Sequence, residues 1–100
     1  MAKVFDGTEG TFISKADGKT MANRHISTPY AYFFGKDKLQ QLLNQSGTMG
    51  IRIYYGANVE GEPALVLVSA DEDGNDMTSL VLDVGIPCPK TCSSSSSSLR

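Results

Sequence analysis

Residues 50–77 read GIRIYYGANVEGEPALVLVSADEDGNDM. Two apolar runs, rich in β-branched and aromatic residues, flank a polar loop containing Gly61 and Pro63, and an acidic loop follows. That is the pattern of a β-hairpin, and Ser79–Val84 (SLVLDV) supplies a third strand. In the first run Ile51, Ile53 and Tyr55 alternate with Arg52 and Tyr54, so the two sets face opposite sides of a sheet. The second run, Ala64 to Val68, is apolar on both faces, as in a central strand covered on both sides.

The segment before the hairpin reads as its cover. Leu39, Leu42 and Leu43 follow the i, i+3, i+4 rule of a helix over residues 36–45. Gly35 can cap its start, Asp37 sits near its positive end, and Gly47 can close it in a left-handed cap. Upstream, Thr28-Pro29 breaks the chain before Tyr30, Tyr32, Phe33 and Phe34, which read as core packing in front of that helix. Residues 14–26 admit a helix or a hairpin. Ser14 with Asp17 resembles a capping box, whereas Asp17-Gly18 is equally a hairpin turn; a frayed helix is the preferred reading.

The expected fold is therefore small α+β: an antiparallel three-stranded meander (about 50–57, 64–70 and 79–84) on one main helix, completed by an N-terminal helix or hairpin. With 100 residues the chain is one domain at most, assigned to residues 1–86, with a Cys/Pro segment and a serine-rich flexible tail over 87–100.

Composition narrows the function. A net charge of −2 and the lack of a basic run argue against nucleic-acid binding. No apolar stretch approaches the length that spans a bilayer, and the N-terminus MAKVFDGTEG lacks an apolar signal region, so a cytoplasmic location is expected. No nucleophile–base pair or phosphate loop is visible, and no enzyme, metal or cofactor is expected. His25 beside Arg24 has no partner placed by the sequence. Asp71, Asp73 and Asn75 have the alternation of a calcium loop. However, the sixth loop position is Asp76 instead of Gly and the twelfth is Leu82 instead of Glu, so a polar turn is the better reading.

Two candidates remain. Cys88 and Cys92 form a CxxxC pair, compatible with free thiols, a local disulfide or part of a metal site, in that order of expectation. The other is the sheet itself: a three-stranded meander has two edges, each a template for an added strand. Arg52 would guard the first edge and Tyr54 would anchor an interface, with Tyr30 and Tyr32 as further contact candidates. The partner is then a second copy of the chain or another protein. The expected function is a non-enzymatic interaction or self-assembling structural module, the alternative a small metal- or redox-sensing protein that uses the cysteine pair.

The run FFGKDKLQQLLNQSGTMGIRIYYG, with ALVLVSADEDGNDM and PCPKTC after it, resembles a family of small Bacteroidota proteins. The resemblance covers about residues 30–92. It implies a helix leading into a GIRIYYG-type strand, an LVLVG-type strand, a GND turn and a cysteine tail. Ser69 stands where the family has Gly, and Met49 where a Cys is common. The resemblance implies the α+β fold and the importance of the cysteine tail, and it brings no activity.

Overall fold

Alternation in the sheet and helical spacing before it produce the expected class. In a computed structural model, which describes residues 3–93 and 99, the element order is α1 (Lys15–Asn23), β1 (Ala31–Phe33), α2 (Lys36–Leu43), β2 (Thr48–Ala57), β3 (Pro63–Asp71), β4 (Asp76–Leu82) and β5 (Ile86–Cys88). The fold is α+β, with an antiparallel sheet in the order β2-β3-β4 and a separate antiparallel pair β1-β5. The contacts group the chain into two compact units: Met1–Glu9 with Phe34–Gly85, and Gly10–Phe33 with Ile86–Arg100.

The first unit holds the meander and α2. Ladder partners such as Gly50–Ala70, Arg52–Val68 and Tyr54–Val66 place these residues on one face, and Ile51–Ser69 and Ile53–Leu67 place those on the other. The helix covers the second face at the end where β2 begins. Leu42, Leu67, Val68 and Ala70 are the buried apolar side chains among the described residues. Of the predicted leucine stripe, Leu42 is buried, Leu39 half-buried and Leu43 exposed. Helix and sheet are tied by a polar knot. Ser69, with no exposed surface, donates from Oγ to the Leu42 carbonyl at 2.6 Å and accepts from Gln45 Nε2 at 2.9 Å. Thr48 Oγ1 donates to the same carbonyl at 3.2 Å. The knot gives helix-terminal carbonyl and buried hydroxyl their partners, without which each would be costly to bury. The helix stops at Leu43 with Asn44 as its cap. Gly47, at φ +90°, therefore lies in the turn into β2 instead of closing the helix as expected.

The central strand is covered over only half its length. Leu67 to Ala70 are buried, whereas Ala64 to Val66 are half-buried. The β3–β4 turn is the polar turn expected: Asp71 Oδ1 accepts the N–H of Asp73 and of Asn75, and Gly74, at φ +87°, takes the left-handed corner. β4 begins earlier than expected and carries a large irregularity. Ser69 pairs with Met77 and its neighbour Val68 with Val81, so Thr78, Ser79 and Leu80 are looped out between consecutive partners.

In the second unit Lys15–Asn23 do form a helix. Ser14 caps it by accepting the Asp17 N–H at 3.0 Å, but none of its residues is buried and Ile26 lies beyond its end. The aromatic cluster departs from expectation. Instead of packing as one block before α2, Ala31–Phe33 form strand β1, which pairs with β5 in the register Ala31–Cys88, Tyr32–Pro87 and Phe33–Ile86. Phe34 alone of the cluster belongs to the first unit, where its ring lies so close to Gly85 that a Cβ there would come within 2.7 Å of it. The serine-tail expectation falls largely on residues 94–98, outside the described residues.

Candidate functional site

Arg52 and Tyr54 stand on the same face of β2, and both reach across β3 to Asp76 on β4. Arg52 Nη1 meets Asp76 Oδ1 at 2.6 Å and donates to the Gly74 carbonyl at 3.0 Å. Tyr54 donates its hydroxyl to Asp76 Oδ2. Ala70, between them on β3, is small enough to let the long side chains pass. The Phe5 ring covers the guanidinium at 5.5 Å, held there because the N–H groups of Val4 and Phe5 donate to the Glu72 carbonyl at 2.7 and 3.0 Å.

The electrostatics follow from these contacts. The Tyr54 hydroxyl first, then Arg52, holds the Asp76 carboxyl below the usual carboxylate range. The carboxylate raises Arg52, and together with partial burial it raises the Tyr54 phenol. A depressed carboxylate stabilises the fold above its unfolded value of about 3.9, and that contribution disappears as pH falls through the lower native value. A raised phenol stabilises below about 10 and is lost as pH rises through the native value. The triad therefore contributes across the neutral range and weakens at both ends. In urea unfolding between pH 2 and 11, Asp76→Asn is expected to flatten both arms of the stability profile. An unchanged acid arm would show that the depressed carboxyl does not act on folding.

A cavity of about 340 Å³ opens beside this triad, between Phe5, Gly7 and Glu9 on one side and Met49, Gly50 and Arg52 on the other. Its charged groups already have partners: Glu9 accepts the N–H of Asp6 and of Gly7, and Arg52 is bound to Asp76. Nothing lining it forms a nucleophile–base pair.

The edge of β2 is different. Past the end of the ladder, the Asn58 N–H donates to the Glu62 carbonyl at 2.9 Å, in register with the partners Gly56–Ala64 and Tyr54–Val66. In an antiparallel pair, residues alternate between those that exchange both hydrogen bonds with the partner and those that turn them outward. Gly50, Arg52, Tyr54 and Gly56 therefore bond to β3, while Ile51, Ile53, Tyr55 and Ala57 direct N–H and C=O away from it. Among the described residues no strand pairs with that side. The outward-directed residues are also the apolar ones of the helix-side face, with Ile53 55% and Tyr55 94% exposed. Arg52, the one charge on β2, is drawn over the opposite face toward Asp76 and does not guard the edge. The other outer edge, β4, is broken by its looped-out residues.

Tyr30 and Tyr32 are half-buried in the second unit, and Tyr54, 45% exposed, is committed to Asp76. Cys88 and Cys92 are joined in a disulfide with a Cα–Cα distance of 4.9 Å, the second of the three states the spacing allowed. The Tyr30 hydroxyl lies 3.9 Å from Cys92 Sγ. Among the described residues no group of three His, Cys, Asp or Glu is placed to hold a metal ion, and no helix is long and apolar enough to cross a membrane. Sequence reasoning missed Asp76 as the partner of Arg52 and Tyr54, and it missed the outward-facing Ile53 and Tyr55. No family model matches the chain, and no curated protein or solved structure matches it either.

Proposed function

We propose that the chain is a non-enzymatic interaction module that takes up an extended strand along the outer edge of β2. The observation that carries this reading is the coincidence, on Ile51, Ile53 and Tyr55, of unpaired backbone groups and apolar side chains, two of them exposed. An added strand gains main-chain hydrogen bonds from the edge and apolar contact from the face beside it. Natural edges are blunted by Lys, Pro or bulges, and β2 between Gly50 and Ala57 carries none of these.

Amide hydrogen exchange by NMR on the purified full-length chain tests the reading. The Arg52 and Tyr54 amides, bonded to β3, are expected to be protected throughout. Those of Ile51, Ile53 and Tyr55 are expected to gain protection as the protein is concentrated or as extended peptides of alternating apolar and polar residues are titrated in. The reading fails if these three exchange as unpaired amides at millimolar protein and with every peptide.

The disulfide supports a second reading, a redox response through Cys88 and Cys92: Cys92 is exposed, and the bond closes a short segment of the second unit.

A further inference from the structure

Resting on the strand-addition reading, we infer that the added strand is β2 of a second copy, paired antiparallel about a twofold axis through Ile53 to give one continuous six-stranded sheet.

The outward-facing set decides which registers are open. Two copies of β2 can exchange hydrogen bonds only if odd-numbered residues oppose odd-numbered ones, because these carry the outward N–H and C=O groups. Centring the pair on Arg52 satisfies that condition but brings Tyr54 opposite Gly50, where no side chain is available. Centring it on Tyr54 brings Arg52 opposite Gly56, where no side chain is available.

Centring it on Ile53 matches every position. Ile53 meets Ile53 of the second copy in a hydrogen-bonded pair. Ile51 meets Tyr55, and Tyr55 meets Ile51, which are aliphatic–aromatic pairs on the exposed helix-side face. Arg52 meets Tyr54 on the other face, where both side chains are turned across β3 to Asp76 of their own copy and leave the seam clear. Gly50 meets Gly56 at each end, so no side chain of β2 itself stands between the strands there. The heptad G-I-R-I-Y-Y-G is thus complementary to its own reverse, as a twofold, isologous contact requires. A strand chosen only to fit β3 has no need of that property. The neutrality of the edge points the same way, since a foreign strand selected by charge would need an unpaired charge on β2 to read.

Cysteine cross-linking tests the register on the full-length chain. Opposed residues of a hydrogen-bonded pair have Cα atoms about 5.5 Å apart, within disulfide reach. Two copies of residue 51 would lie about 14 Å apart in this register. Under mild oxidation, Ile53→Cys is expected to give covalent dimer at least about 10-fold faster than Ile51→Cys, with the unsubstituted chain as control for Cys88 and Cys92. Ile53→Pro removes an N–H that β3 does not use, and it is expected to weaken association about 100-fold by light scattering, with the circular dichroism of the fold retained. A dimer in which Ile51→Cys cross-links as fast as Ile53→Cys overturns the register. A chain monomeric at millimolar concentration overturns the second copy as occupant. In that case peptide-induced protection of Ile51, Ile53 and Tyr55 would leave strand addition standing, and its absence would remove both.

Discussion

Leu42→Ala is expected to destabilise the helix-and-sheet unit by about 2–5 kcal/mol, the range for removing a buried leucine. Leu42 is 2% exposed, and the apolar side chains buried with it are few and include the small Ala70. The site also has little freedom to collapse. The backbone carbonyl of Leu42 is pinned by Ser69 Oγ at 2.6 Å and by Thr48 Oγ1 at 3.2 Å, so the helix cannot slide down to fill the hole without breaking both bonds. Because a domain of this size has a net stability of about 5–15 kcal/mol, such a loss is a large fraction of the total. Urea unfolding followed by far-UV circular dichroism measures it. Leu43→Ala, on the same helix but 53% exposed, is the internal control and should cost less than about 0.5 kcal/mol. Leu42→Met, which nearly conserves volume, should cost less than about 1.5 kcal/mol. Equal effects at Leu42 and Leu43 would mean that α2 does not pack on the sheet as described.

The contrast between those two leucines also shows where sequence reading stops. Spacing placed Leu39, Leu42 and Leu43 on one face of a helix, and the helix is there. It could not say that the sheet would cover only Leu42 fully, because that depends on how far the helix end reaches along β3. The meander was legible for the same kind of reason: alternation and turn residues are local. What was not legible is register. The ladder step from Met77 to Val81 leaves no trace in the alternation of Leu80, Leu82 and Val84, and neither does the pairing of Asp76 with Ala70 beside the Asp71–Asn75 turn, which sets Asp76 where Arg52 and Tyr54 can reach it. Likewise, the face on which Ile53 and Tyr55 lie followed from period two. Whether their backbone groups point inward or outward required the Asn58–Glu62 hydrogen bond. The pairing of Ala31–Phe33 with Ile86–Cys88 joins segments distant in sequence, each of three residues, one with Pro87 at its centre. No propensity argument identifies a strand that short, and an aromatic cluster with no visible partner reads naturally as core.

Reduction of Cys88–Cys92 is expected to loosen that pairing selectively. On the chain-entropy model, closing a loop with a sequence separation of 4 contributes about 2 kcal/mol. In a well-buried domain that would be one contribution among many. In the second unit β1 and β5 pair over three residues each, and α1 buries none of its residues. A loss of about 2 kcal/mol multiplies the open fraction about 30-fold. The amide of Tyr30, which donates to the Cys88 carbonyl at 2.8 Å, reports it directly. Its exchange should accelerate by about that factor on reduction with a phosphine, and by the same factor in Cys88→Ser/Cys92→Ser. The Arg52 amide in the first unit should not change. Unaltered exchange at Tyr30 would show that the strand pair holds without the disulfide and would leave a redox response through these cysteines with no structural element to act on. The expected acceleration would make β5 the responding element, because thiol poise would then govern whether Ile86–Cys88 stay paired with Ala31–Phe33.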